Sequence, residues 1–295
     1  MQNMIFETLK KIGMASEESQ SIYAHYTRDK KDQLVYRDQI SGVIYIDNYY
    51  CGDDVYQDGG YRQEKESLLK IGKPDYERQI DAKRRLKYTL PYITDKEVLE
   101  FGCGRGLFLE MAQPYAKTVC GIELSETHLK KLNSKGIYCA NELNSIPDSS
   151  LDIIIFFHVL EHLPDPLSRL REARQKLRKG GRIIVEVPHA NDFLLTYLAC
   201  EAFKRHTLWS QHLILHTHES LRRLLEAAGF KNVVISGVQR YTLANHMHWL
   251  QNRQPGGHKG TLAAIDSREL NQVYSDSLAR IGATDTLFSY AVLDD

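Results

Sequence analysis

Between residues 97 and 237 the chain alternates short apolar runs with amphipathic stretches. VLEF (98–101), TVCGIEL (118–124), LDIIIFF (151–157), RIIVEV (182–187) and KNVVIS (231–236) read as strands, and 136–140 as a further one. The unbroken apolar run LDIIIFF suits an inner parallel strand covered on both faces. Helical periods fill the gaps at 107–113, 126–133, 166–177 and 219–228. Gly180 and Gly181 read as the stop of the third of these, and Gly229 lies just past the last. Strand–helix alternation predicts an α/β fold with a Rossmann-like, doubly wound, mostly parallel sheet. TLFSYAVL (286–293) reads as a late antiparallel strand returning to it.

The flanks differ in texture. Ile5, Phe6, Leu9 and Ile12 recur at helical spacing and predict a short docked helix. LVYRD and VIYID flank QISG and predict a hairpin. A helix is expected over 76–92. Tyrosines 45, 49, 50, 56 and 61 and the stretch GGYR (59–62) suggest either a lid with aromatic faces or packing against the main domain. The expected division is 1–90 as an N-terminal lid or substrate region, 91–237 as the core, and 238–295 as a cap insertion with the final strand.

Composition narrows the classes. Of 295 residues, 42% are apolar and 26% charged, as in ordinary globular proteins. Lysine plus arginine (38) balances aspartate plus glutamate (38), which leaves no electrostatic footprint for nucleic acid. The five cysteines are scattered without a C-x-x-C pair, so reduced thiols in a cytoplasmic protein are expected. The start has no signal-peptide core. No apolar run approaches the roughly 20 residues of a membrane span.

The chemistry concentrates in VLEFGCGRGLFLE (98–110). A strand–glycine–helix turn at the carboxyl edge of a parallel sheet presents bare backbone to a ligand. The dinucleotide pattern G-x-G-x-x-G would put its third glycine at 107, where the chain has Leu107. The observed G-x-G-x-G, with Glu100 before it and Glu123 ending the next strand, fits S-adenosylmethionine better. One carboxylate attracts the cationic amino-acid end, and the other accepts from the ribose hydroxyls.

VLEFGCGRG, GIELS, IPDSSLDIIIFFHVLEHLPDP, LRKGGRIIVEVP and QHLILHTHESLRRLLEAAGF resemble, in order, motifs of class I S-adenosylmethionine-dependent methyltransferases. The resemblance implies that Glu100, Gly102, Cys103, Gly104, Gly106, Glu123 and Leu124 hold the cofactor. It places Asn141 and Glu142 at the adenine and His158 near the sulfonium. Arg105 replaces a residue that is small in the family and is expected to point outward. Within the family the chain looks closest to enzymes acting on sugars, surface polysaccharides and other small metabolites.

Methyl transfer to a hydroxyl needs a base as well as alignment. His212, in WSQHLILH, is the leading candidate, with His162, His189 and Tyr241 behind it; His216 and His218 read as surface or cap residues. If HVLEH (158–162) is helical, His158 and His162 share a face. Related quinone O-methyltransferases carry E-x-x-E-H there and hold a divalent cation. Here His158 stands for the first glutamate; His158, Glu161 and His162 could hold a metal, but Glu161 and His162 are read as fixing the loop through hydrogen bonds, and no metal is assigned. Arg240 suits a phosphate or carboxylate, or is solvated. Asn245, His246 and His258, with the loop QPGGHKG (254–260), suggest a cap over the pocket. The expected reaction is methylation, by preference at oxygen, of a small polar acceptor such as a sugar or nucleotide sugar. The alternatives are a quinone-type metal-assisted O-methyltransferase, an NAD-dependent oxidoreductase, and a catalytically dead binding fold.

Overall fold

The computed structural model describes residues 2–57 and 74–294. Helix α1 (Ile5–Lys11) buries Ile5 and Leu9 on one face, as their spacing predicts. Strands β1 (Gln20–Ala24), β2 (Val35–Asp38) and β3 (Ile44–Tyr45) follow. The expected hairpin is β2–β3, with Tyr36 opposite Tyr45. Asp38 closes its turn by accepting from the amides of Ile40 and Ser41 at 3.1 and 2.7 Å. β1 pairs with the other edge of β2 and is not foreseen from the sequence. Only Ala24 of its five residues is buried, so it carries little hydrophobic signal. Helix α2 (Asp54–Gln57) ends this stretch, and GGYR (59–62) lies outside the described residues.

After α3 (Pro74–Ile93) the alternation runs β4 (Glu97–Phe101), α4 (Leu107–Ala112), β5 (Thr118–Ile122), α5 (Glu126–Ser134), β6 (Tyr138–Ala140), β7 (Leu151–Phe157), α6 (Pro166–Lys176) and β8 (Leu177–Pro188). One expectation fails here. Gly180 and Gly181 do not stop a helix, because α6 ends at Lys176 and both glycines lie inside β8. Backbone hydrogen bonds with Leu293, from the Gly180 amide and to the Gly181 carbonyl, hold them in the sheet. Next come α7 (Phe193–Thr196), α8 (Glu201–Thr207), β9 (Ile214–Leu215), α9 (His218–Ala227), β10 (Lys231–Val238), α10 (Leu243–Asn252), α11 (Arg268–Arg280) and β11 (Thr286–Val292).

The main sheet has the order β10-β11-β8-β7-β4-β5-β6, with β11 antiparallel to both neighbours and the remaining pairs parallel. Alternate residues of β7 enter opposite cores. Ile154 and Phe156 pack on one face, and Ile153, Ile155 and Phe157 on the other, which is why its apolar run is unbroken. The chain winds outward from β4 through β5 and β6, then crosses back to β7 beside β4. Ligands bind where the winding reverses in this way, beyond the strand carboxyl ends.

The second sheet has the order β1-β2-β3-β9. Its last strand comes from within the core region, with Leu215 opposite Ile44. The N-terminal region is therefore stitched to the stretch that carries His212 and His216. The 238–284 stretch is mainly helical, with α10 and α11 inserted between β10 and β11.

Candidate functional site

The turn after β4 holds Gly102, Gly104 and Gly106 at φ values of 69°, 57° and 74°, in the left-handed region that favours glycine. A methyl group on Gly102 would come within 2.6 Å of Val159, and one on Gly106 within 2.2 Å of Leu132. Two of the three glycines are thus demanded by the turn's own packing as well as by any ligand. The amides of Gly102 and Cys103 both donate to the Ile122 carbonyl, at 2.8 and 3.1 Å, which pins the turn onto β5.

Glu123, buried at the end of β5, accepts from the Gly104 amide at 2.7 Å through one oxygen. Its other oxygen accepts from the Ser125 amide at 2.8 Å. Each oxygen keeps a second acceptor direction for a ligand hydroxyl. Glu100 is 5% exposed, and its Oε2 has no hydrogen-bond partner. Burial pushes its pKa up to about 8, against an opposing pull from Arg85 and reinforced by the Glu123 charge. A buried acceptor without a partner suits a cationic ligand group. Bare turn, hydroxyl acceptor and unpaired acid together fit an amino-acid sulfonium nucleoside. Leu124 is half-buried beside Glu123, and Asn141 and Glu142 stand exposed just beyond β6. Arg105 is half-buried rather than fully outward.

His158 follows β7 with φ 54°, and the single 3-10 turn Leu160–His162 comes next. The segment is not α-helical, so His158 and His162 do not share a helix face. His158 instead sits between two fully buried carboxylates. Its Nδ1 lies 3.0 Å from Glu161 and its Nε2 3.3 Å from Glu186. Burial lowers its pKa, but these two partners outweigh that and raise it above the usual imidazole value.

His162 turns to another group. Its Nδ1 donates to the Gln211 carbonyl at 2.8 Å, which leaves Nε2 as the acceptor nitrogen of the neutral ring. Its ring meets His212 edge-on, with centroids 4.9 Å apart, and both rings contact Trp209. Tyr56 packs on the outer side of His162. Glu161, His162 and His212 place one oxygen and two ring nitrogens within 4.8 Å of one another. Glu161 Oε2 has no hydrogen-bond partner. The structure thus brings together two of the sequence's base candidates and Glu161, with His212 rather than His158 completing the cluster.

The other candidates stand differently. His189 is buried, its Nδ1 donates to the Thr284 carbonyl at 2.8 Å, and burial lowers its pKa to about 3. Such a ring is a weak base at neutral pH. Tyr241 is 39% exposed and follows Arg240 on the loop after β10. His216 is no surface residue: it is fully buried, and burial lowers its pKa to about 4. His218 is half-buried on the first turn of α9, behind the Thr217 cap. Arg240 is not solvated, since its guanidinium bonds Asp81 and reaches His158 at 3.4 Å. Asn245 and His246 are buried, with His246 Nδ1 2.7 Å from the Tyr274 hydroxyl. Gly257, in the loop expected to close, packs against the α10 backbone, where a methyl would come within 2.6 Å of the Ala244 carbonyl.

One group escaped the sequence reading. Glu186, fully buried on β8, receives Arg84 at 2.7 and 3.1 Å and Arg85 at 2.9 and 2.7 Å, as well as His158. It ties α3 to the edge of the cleft. A lone acid within RIIVEV was the available signal.

The fold is Rossmann-like, and its glycine turn and two buried acids are compatible with a sulfonium nucleoside. The methyltransferase domain model matches residues 75–235, more than half of the chain, and the chain belongs to that family of S-adenosylmethionine-dependent enzymes. A ubiquinone biosynthesis O-methyltransferase of Idiomarina loihiensis is 27% identical over 48% of this chain and 65% of its own. A probable S-adenosylmethionine-dependent methyltransferase of Mycobacterium tuberculosis is 33% identical over 35% of this chain and 39% of its own. The chain spans less than two thirds of either relative. The crystal structure of a SAM-dependent methyltransferase from Archaeoglobus fulgidus aligns with TM-score 0.53 and 20% identity, over 79% of this chain and 99% of that one, and shows the shared fold. No described helix is long and apolar enough to cross a membrane.

Proposed function

We propose that this protein transfers a methyl group from S-adenosylmethionine to an oxygen of a small polar acceptor. The observation that carries the reading is the buried, unpartnered Glu100 oxygen beside a glycine turn whose middle amide is held by Glu123. Gly102, Cys103, Gly104, Gly106 and Leu124 would cradle the cofactor. Glu100 would take its ammonium and Glu123 its ribose, with Asn141 and Glu142 at the base. When bound, the cofactor supplies an electrophilic methyl group on a sulfonium.

The protein's own part is alignment and proton removal. His212 is the preferred base, with His162 as its partner. The Gln211 carbonyl fixes the His162 ring so that Nε2 can accept a proton. The 1–90 region and the 238–295 insertion would form the acceptor's side of the cleft. A hydroxylated acceptor such as a sugar, nucleotide sugar or surface-glycan precursor suits imidazole and tyrosine walls, in the cytoplasm. The test is a labelled-methyl transfer screen over such acceptors. His212→Ala should lower turnover about 100-fold or more while leaving cofactor affinity within a factor of two. Near-normal turnover would remove His212 as the base.

A second reading rests on Glu161, His162 and His212. Their donor atoms are close enough for one divalent cation, and ubiquinone O-methyltransferases are among the relatives. A cation there would lower the pKa of an acceptor hydroxyl. Loss of turnover on chelation, restored by magnesium or zinc, with quinone precursors as the active substrates, would favour it over the metal-free base.

A further inference from the structure

Two cysteines meet beneath the glycine turn. Cys103 is the residue between Gly102 and Gly104, and Cys139 lies on β6. Their sulfurs are 3.8 Å apart, and both residues are buried. The approach is built into the sheet. Gly121 of β5 stands opposite Cys139 in the β5–β6 register. A methyl on Gly121 would come within 2.5 Å of the Cys103 sulfur, so glycine there opens the space in which the sulfurs meet.

We propose that Cys103 and Cys139 form a reversible redox switch, in which a disulfide between them lowers affinity for the cofactor. The inference rests on the proposed cofactor seat. A disulfide needs sulfurs about 2.05 Å apart, roughly 1.8 Å closer than here. Cys103 lies within the turn, between its first two glycines, so closing that gap would draw the turn toward β6. The hydrogen bond from the Gly104 amide to Glu123, and the bare surface on either side of it, would shift with it. Cys139 also leads through Ala140 to Asn141 and Glu142, so the bridge would distort both walls of the seat.

The oxidant is a peroxide. The Cys139 sulfur attacks one peroxide oxygen, the O–O bond breaks, and the departing hydroxide leaves as water after taking a proton. This gives a sulfenic acid. The Cys103 sulfur then attacks the sulfenic sulfur, its S–H proton joins the leaving hydroxyl, and a second water departs. Two thiols lose two electrons to one peroxide. The sulfur–sulfur hydrogen bond lowers the Cys139 pKa, which favours it as the first nucleophile.

The test measures S-adenosylhomocysteine affinity of the full chain by calorimetry: reduced, after stoichiometric hydrogen peroxide, and after dithiothreitol. Peptide mass mapping locates the bridge. We expect a mapped Cys103–Cys139 disulfide, at least a tenfold loss of affinity, and recovery on reduction. Cys139→Ala and Cys139→Ser should retain their affinity through the peroxide step. Absence of that disulfide, its formation without loss of affinity, or equal loss in the Cys139 variants would overturn the switch. If the reduced chain fails to bind, the cofactor seat falls first and the switch with it.

Discussion

Glu100 and Glu186 are both buried acids near the carboxyl ends of strands in one sheet, yet they are held in opposite states. Glu186 is surrounded by Arg84, Arg85 and His158. Burial alone would raise its pKa, but Arg85, His158 and Arg84 drive it well below the usual carboxylate range. Glu100 has no such cage. Both Nε and Nη2 of Arg85, the arginine whose charge opposes the shift, are bonded to Glu186, and burial pushes Glu100 up to about 8. A buried acid with its cations in place is a brace. One without a cation can serve, in the proposed function, as the seat for a cation that arrives from outside.

The largest expected effect is on the brace. Glu186→Ala strands two arginines and His158 without their anion, and should cost about 3–5 kcal/mol of stability, as broken buried pairs do. Urea denaturation measures it, and a loss under 1 kcal/mol would mean that the network is not structural. The sign with pH follows. Because the Glu186 pKa is depressed on folding, its contribution is present above the unfolded value near 4.5 and is lost as pH falls below it.

Glu123→Ala acts on the seat. It removes the anchor of the Gly104 amide and the acceptors proposed for the ribose, and should weaken S-adenosylhomocysteine binding roughly 10- to 100-fold, from about 1.5–3 kcal/mol of charge-assisted bonding. Calorimetry reads the affinity, and circular dichroism checks that the fold persists. Unchanged affinity would contradict the ribose role.

The subtlest prediction separates the two acids. Ligand-free Glu100 is largely protonated at pH 7, because its pKa is about 8. A cationic ligand needs it ionised. Cofactor affinity should therefore rise by up to about 50-fold from pH 6 to pH 8, with proton release that shows as a dependence of binding heat on buffer ionisation enthalpy. Glu100→Gln should flatten that slope, and a slope that survives the substitution would refute the assignment. The same raised pKa gives the ligand-free protein stability that is full below pH 4.5 and lost as pH rises through about 8.

The two acids were also unequally legible. Glu100 stands two residues before a glycine pattern whose spacing carries chemical meaning, so it was visible in the sequence. Glu186 was hidden because its partners Arg84 and Arg85 lie about a hundred residues earlier, on a helix with no motif of its own. The histidines divide the same way. His212 was singled out from local context, but its pairing with His162 depends on how residues 209–216 lie over the turn after β7. His216 looked exposed in HLILHTH, but its backbone bridges His189 just past β8 and its side chain is fully buried.

Alternation of apolar runs with amphipathic stretches sufficed by itself to set the order of the main sheet's strands and most of their crossover helices, though not α7, α8 or β9. The glycine spacing sufficed to locate the turn, because both signals are local and repeat at the period of the structure they form. Which carboxylate keeps a counter-ion, which imidazole is neutral, and which sulfurs touch were decided only in three dimensions. Those properties depend on burial and on groups that approach from distant parts of the chain, and no period along the sequence records them.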